Sequence, residues 1–241
     1  MIVDVDDPST WPAAVAEFVD DCEAELQGLG LAPTELVVPA GVYDERLVHL
    51  LAGHRLRAYH CARLLECEAA AIRSQGLRPL SGELVPDKLE NAVRCGAITA
   101  EERARLHEHR RLDSAGLVVE GRVCLALSTA DFGLAAHFFN PLPSCWGGEA
   151  IYAAHESGAT GLAGLLRGLG RPSIVVAQLE ASAIAATPSL TGSFVAVAAG
   201  WPAEEHGADI AYAGPVPPDF VEDVWHPGDA DYDRFPDLVR D

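Results

Sequence analysis

Basic residues are scarce in this chain. Only 17 lysines and arginines stand against 36 aspartates and glutamates over 241 residues, a net charge of −19. Such a surface repels polyanions, which argues against nucleic acid or an anionic membrane as a broad-surface partner unless a local basic pocket intervenes. Long apolar runs are also lacking. Pro12 and several acids interrupt the region that begins Met1-Ile2-Val3-Asp4, so neither a membrane span nor a secretory leader is expected, and the expected location is cytoplasmic. Cys22, Cys61, Cys67, Cys95, Cys124 and Cys145 include no Cys-x-x-Cys pair. Set among apolar neighbours, they read as small buried hydrophobes, and without a secretory signal no disulfide is expected. His107 and His109 flank Glu108 but point to different helix faces, so they do not predict a metal site. No internal repeat or low-complexity segment is visible.

Apolar residues are plentiful. A hydrophobic content of 49% with 22% charged residues predicts a packed core, and the length suits one good-sized domain or a domain with an appendage. Periodicity predicts a helix from Ser9 to Gln27, capped by Ser9 or Thr10, a short strand over Glu35 to Val38, and a helix from Asp44 to Ala52. These residues, 1–54, read as an N-terminal helical addition. Arg55 to Cys61 reads as a strand and Glu66 to Gln75 as a helix. A helical hairpin follows over Pro86 to Arg94 and Thr99 to Arg110, its second arm opened by the capping box Thr99-Ala100-Glu101-Glu102. The arginines Arg103, Arg105, Arg110 and Arg111, mixed with acids, read as a salt-bridged solvent face. Later strands are expected at Val123 to Leu127, Ser173 to Leu179, Phe194 to Ala198 and Ile210 to Tyr212. Short helices are expected at Asp131 to Phe139, Leu162 to Leu166 and Asp219 to Val224. Residues 226–241 read as an acidic extension anchored by Tyr232 and Phe235. Helices, a strand, helices, then several strands with short helices make an α+β order.

The most informative stretch is Arg57-Ala58-Tyr59-His60-Cys61, followed at once by a helix that stops at Gly76-Leu77-Arg78-Pro79. It sets a titratable side chain near a helix N-terminus, where unpaired N–H groups suit an anionic ligand. Together with the late segment Asp209-Ile210-Ala211-Tyr212-Ala213-Gly214-Pro215-Val216-Pro217-Pro218, this pattern resembles the ADP-ribosyltransferase fold on its histidine-type branch. That branch includes poly(ADP-ribose) polymerases, tRNA 2′-phosphotransferases and DNA-modifying toxins. In it, a first core strand ends in Tyr-His or Trp-His, a helix and a Gly-Leu turn follow, and a late strand carrying an acid precedes a proline-rich turn. The resemblance spans residues 55–225 and implies a split β-sheet core with the helical hairpin inserted. This chain departs from the pattern by placing Asp209 where a glutamate is usual, with Glu204 and Glu205 just upstream. Ser128, Thr129 and Tyr152 compete for the middle motif. Trp146 to Tyr152 is similar to a segment of bacterial proteins, and a toxin or defence role is compatible with the resemblance.

The resemblance implies NAD as the small-molecule substrate, with transfer of ADP-ribose to an unknown acceptor and release of nicotinamide. A carboxylate beside the ribose stabilises the positive charge that builds as the glycosidic bond breaks. By resemblance, His60 contacts the ribose beside Tyr59, Tyr152 stacks on the nicotinamide, and Asp209 or Glu149 is the catalytic acid. Arg63 or Arg78 pairs with the diphosphate, since guanidinium groups grip phosphate bidentately. Ser128, Gly147 and Gly148 complete the expected cofactor contacts, the two glycines permitting close backbone approach. The net acidity favours a protein acceptor over nucleic acid.

Each residue also carries a structural reading. His60 is equally a core histidine bonded to a carbonyl, Arg63 a partner of Glu66 or Glu68, Asp209 a turn cap, Tyr152 a half-buried aromatic, and Gly147-Gly148 a tight turn. A non-catalytic nucleotide- or protein-binding module of the same fold is the alternative function. A thiol or metal hydrolase ranks below both, because Cys61 and His60 are strand neighbours that point to opposite faces.

Overall fold

A computed structural model describes residues 1–29, 41–108, 120–130, 132, 141–155, 158, 160–186, 189–201, 209–236 and 238. In chain order the elements are β1 (Ile2–Val3), α1 (Ala13–Gln27), α2 (Asp44–Leu50), β2 (Arg55–Leu64), α3 (Glu66–Gln75), α4 (Leu84–Arg94) and α5 (Ala100–Glu108). There follow β3 (Arg122–Ala126), α6 (Pro141–Ser144), α7 (Gly148–Ile151), α8 (Ala163–Gly168), β4 (Arg171–Leu179), β5 (Ile184–Ala186), α9 (Leu190–Ala198), β6 (Asp209–Ala213), β7 (Val221–Trp225) and α10 (Ala230–Asp233). The fold is α+β, as the order of elements predicts. Six strands form an open antiparallel path in the order β5-β6-β3-β2-β4-β7, and β1 adds parallel to β2. The chain divides into two compact units. One comprises Met1–His60, Cys124–Leu134 and Val176–Ala213; the other comprises Cys61–Val123, Ala135–Val175 and Gly214–Asp241.

In the first unit, β1 pairs with the start of β2 through Ile2↔Arg55 and Val3↔Leu56, so the N-terminal residues contribute to the sheet. Tyr59 of β2 lies opposite Ala126 of β3, and Ile184 of β5 opposite Tyr212 of β6. Helix α1 buries Val15, Phe18, Val19, Cys22 and Leu26, the spacing of a single helical face, and packs on α9. It begins four residues later than the sequence predicts. Ser9 and Thr10 are held in a 3-10 turn capped by Asp7, and the Thr10 hydroxyl is engaged with the carbonyls of Asp4 and Asp7. Neither caps α1, which starts instead after Pro12, a residue whose missing N–H costs nothing at a helix start.

The expected strand over Phe194 to Ala198 is instead the second half of α9. Leu190 to Ala196 are all buried, and a continuous apolar run does not distinguish a buried strand from a buried helix. Capping decides it. The Ser189 hydroxyl accepts the Gly192 N–H at 2.8 Å, while the Asp44 carboxylate accepts the N–H groups of Leu190 and Thr191 at 3.1 and 2.7 Å.

In the second unit, α3 occupies the residues predicted for it, and its Glu68 carboxylate reaches back to the Leu65 N–H at 2.8 Å. Gly76 ends the helix at φ 83°, and Leu77 exchanges two hydrogen bonds with Val216, both 2.9 Å. An apolar cluster of Leu65, Leu89, Leu106, Trp146, Ile151 and Leu166 forms its core. Asp219 to Val224, expected as a helix, is a 3-10 turn over Pro218–Phe220 followed by β7. The β-branched Val221 and Val224 and the aromatic Trp225 favour a strand here. Tyr232 is fully buried, as expected of an anchor. Cys67 and Cys95 form a disulfide, contrary to the expectation of none: two cysteines far apart in sequence are brought to a Cα separation of 6.8 Å by α3 and α4. The strand expected at Glu35 to Val38 and, apart from Phe132, the helix expected at Asp131 to Phe139 lie outside the described residues. So do His109, Arg110, Arg111, Glu204 and Glu205.

Candidate functional site

His60 lies on β2, one strand from β3 and two from β6, which opens with Asp209. The first unit therefore carries the candidate ribose contact and one candidate acid on two strands of a single sheet, with β3 between them. The His60 Nδ1 is 2.8 Å from the Cys124 carbonyl oxygen. A carbonyl only accepts, so this nitrogen carries the proton and the neutral ring is the Nδ1–H tautomer. Tyr59, its neighbour, is buried and packs edge-on against Phe132 at 5.6 Å between ring centroids. Alternation along the strand turns His60 away from that contact. Asp209 is exposed at the start of β6, yet the surrounding protein still desolvates its carboxyl enough to push it above the ordinary carboxylate range.

Ser128 belongs to a closed structural knot. Its buried hydroxyl donates to Asp6 at 2.5 Å, and the other Asp6 oxygen accepts the Thr129 N–H at 2.7 Å and the Thr129 hydroxyl at 2.8 Å. The Asp6 carboxylate is thereby supplied with donors, and Ser128 and Thr129 hold the end of β3 in place. Nothing in the spacing of Asp6 and Ser128 announces this contact in the sequence.

The remaining candidates lie in the second unit. Arg63 is buried, and its Nε donates to the Leu169 carbonyl at 2.7 Å. β2 continues to Leu64 and carries Arg63 into the interior. Arg78 pairs at the surface with Asp87 at 2.8 Å. Both arginines suggested for a diphosphate thus have protein partners, and the burial of Arg63 fits a structural anchor better than a phosphate grip.

Gly147 and Gly148 take left-handed backbones, φ 96° and 56°, and lead into α7. Glu149 falls on α7, and its side chain lies outside the described residues. A Cβ at Gly147 would lie 2.5 Å from the Ile151 Cβ, so only glycine makes this turn without displacing Ile151. Just before it, the fully buried Trp146 donates its indole N–H to Glu68 at 2.7 Å, and Lys88 pairs with the other Glu68 oxygen at 2.5 Å. The Lys88 ammonium lies 5.1 Å from the Trp146 ring centroid. Glu68 and Lys88, whose contact with Trp146 no sequence pattern announces, fix the Trp-Gly-Gly turn. Beyond it, the Tyr152 hydroxyl accepts from Arg167 at 3.1 Å. Desolvation and a hydrogen bond with the Cys145 thiol raise the Tyr152 phenol, against the opposing pull of Arg167. Tyr152 thus belongs with Cys145 and Arg167, a grouping the sequence separates by up to 22 positions, Cys145 to Arg167.

Among the described residues there is no cluster of three or more histidine, cysteine or acidic side chains suited to a metal ion, and no helix is long and apolar enough to cross a membrane. Comparisons with protein-family models, with curated proteins and with solved structures return no match to this chain.

Proposed function

We propose that the chain is an ADP-ribosyltransferase-like protein that binds NAD at the β2–β3–β6 part of its sheet, with His60 at the ribose and Asp209 as the acid. The observation carrying this reading is the placement of His60 and Asp209 on strands of one sheet separated only by β3. Two further features support it. Helix α3 follows the His60 strand directly, and its Gly76-Leu77 turn is bonded to Val216 within the late proline-rich segment. The two segments that carry the sequence resemblance are therefore joined in the fold.

In the reaction, nicotinamide leaves as positive charge develops on the ribose. The ionised Asp209 carboxylate stabilises that charge and orients the acceptor's nucleophile. The acceptor is proposed to be a protein group, since a chain of net charge −19 disfavours a polyanion. A binding role without turnover is the second reading. It is favoured by the shorter aspartate in the acid position and by desolvation, which works against the ionised form that catalysis needs.

The test is nicotinamide release and transfer of label from NAD labelled in its adenylate phosphate. Wild-type protein should release nicotinamide, and His60→Ala and Asp209→Asn should each reduce the rate by about 100-fold or more. A melting shift with NAD but no release supports the binding reading. Neither a shift nor release sinks both.

A further inference from the structure

We propose that Cys67–Cys95 is a reversible thiol–disulfide switch that controls the rigidity of the Trp146–Gly148 turn. Cys67 lies in the first turn of α3 and packs against the apolar cluster that contains Trp146 and Ile151. Cys95 caps α4 and is exposed. The bond therefore has one face open to a small thiol and the other, partly buried, against the core. The residue after Cys67 is Glu68, the common partner of the Trp146 indole and Lys88. Lys88 stands on α4, the helix whose end the disulfide holds. The covalent link and the Glu68 contacts thus brace the same two helices, and the Trp-Gly-Gly turn hangs from the polar half of that brace.

The remaining four cysteines are thiols, so the disulfide is a selective feature of one place in the fold. Exposure decides which sulfur is attacked: a small thiolate reaches Cys95, the S–S bond breaks, and the electron pair departs on the Cys67 sulfur, which takes up a proton. A second small thiol attacks the mixed disulfide at its small-molecule sulfur and expels Cys95, which is protonated in turn. Two small thiols become one small disulfide, and the protein gains two electrons and two protons. With the link gone, α3 and α4 remain joined by the Glu68–Lys88 pair and the apolar cluster, so the unit stays folded while the turn loosens.

The full chain is equilibrated in mixtures of reduced and oxidised glutathione, trapped with an alkylating reagent and peptide-mapped, with amide exchange followed in parallel. Cys67 and Cys95 should titrate together in one two-electron transition. Reduction should speed exchange over residues 146–152 about tenfold while leaving α1 unchanged. A Cys67→Ser/Cys95→Ser protein should match the reduced form, and reoxidation should restore slow exchange only in wild type. The proposal is overturned if both cysteines alkylate in oxidised protein, if reduction leaves exchange over residues 146–152 unchanged, or if it unfolds the chain. No step of this test uses NAD, so it stands or fails separately from the proposed transfer.

Discussion

Replacing Gly76 with alanine tests how the Gly-Leu turn is built. Gly76 sits at φ 83°, ψ −170°, a region essentially reserved for glycine, where a side chain costs about 1–3 kcal/mol. Space compounds the strain. A Cβ would overlap the Val216 carbonyl oxygen and lie 2.8 Å from the Pro217 carbonyl carbon, both backbone atoms that cannot rotate aside. Relief requires the two segments to part, which breaks the Leu77 N–H to Val216 and Val216 N–H to Leu77 bonds, both 2.9 Å. Each is worth about 0.5–1.5 kcal/mol, so strain and lost bonds together come to about 4 kcal/mol. Gly121→Ala supplies the control. Gly121 also has positive φ, 76°, but among the described residues no atom beyond its chain neighbours lies within 4 Å of the position its new methyl group would take, so it bears the conformational cost alone, about 1–2 kcal/mol. Gly82→Ala, with open space and no positive φ, should lie within about 0.5 kcal/mol of wild type. Urea unfolding of the three variants under fixed redox conditions gives the ranking. If Gly76→Ala is no more destabilised than Gly121→Ala, the turn is not a rigid junction.

Asp209 links function to pH. Its carboxyl lies above the ordinary value of 3.8 in the folded chain, so over that interval the native state holds more proton than the unfolded state. Stability therefore falls as pH rises from 3.8 through the raised value, and the deficit persists above it. Asp209→Asn should melt higher than wild type at pH 7, with the gain shrinking toward pH 3.8; a lower melting temperature at pH 7 contradicts the desolvation. Thr99→Ala should destabilise by about 1 kcal/mol in denaturant unfolding, as loss of a cap does. The hydrogen bonds from Thr99, backbone first, hold Glu102 below its ordinary 4.5, so the carboxylate's contribution is present above that value and is lost as pH falls through the lowered one. A Thr99→Ala penalty that grows under acid would refute the capping account.

The elements that the sequence makes legible are those fixed by local chemistry. Glu66–Gln75 is bounded by a strand end and a glycine, and the Thr99–Glu102 box forms as its spacing predicts, with Thr99 N–H to Glu102 at 2.7 Å and Glu102 N–H to Thr99 at 3.1 Å. The Tyr59-His60 strand is found, though three residues longer than expected, because Ala62 and Arg63 continue the alternation. Failures follow long-range contacts. The run through Phe194 is a helix whose local Ser189 cap is completed by Asp44, 146 positions before Leu190. The Arg63 contact with the Leu169 carbonyl, 106 positions on, has no local signal either. The Cys67–Cys95 bond likewise depends on helix packing rather than on spacing in the chain. At the candidate site, the strand bearing His60 and the strand bearing Asp209 are readable from the sequence, whereas Asp6, Glu68, Lys88 and Arg167 carry no local signal of their partners.

The most direct test of the central claim is a crystal structure of the chain soaked with an NAD analogue whose glycosidic bond resists cleavage. Ribose density is predicted within hydrogen-bonding distance of the His60 Nε2 and beside the Asp209 carboxylate. Ribose bound away from both residues, or no binding at concentrations that saturate NAD-dependent enzymes, would contradict it.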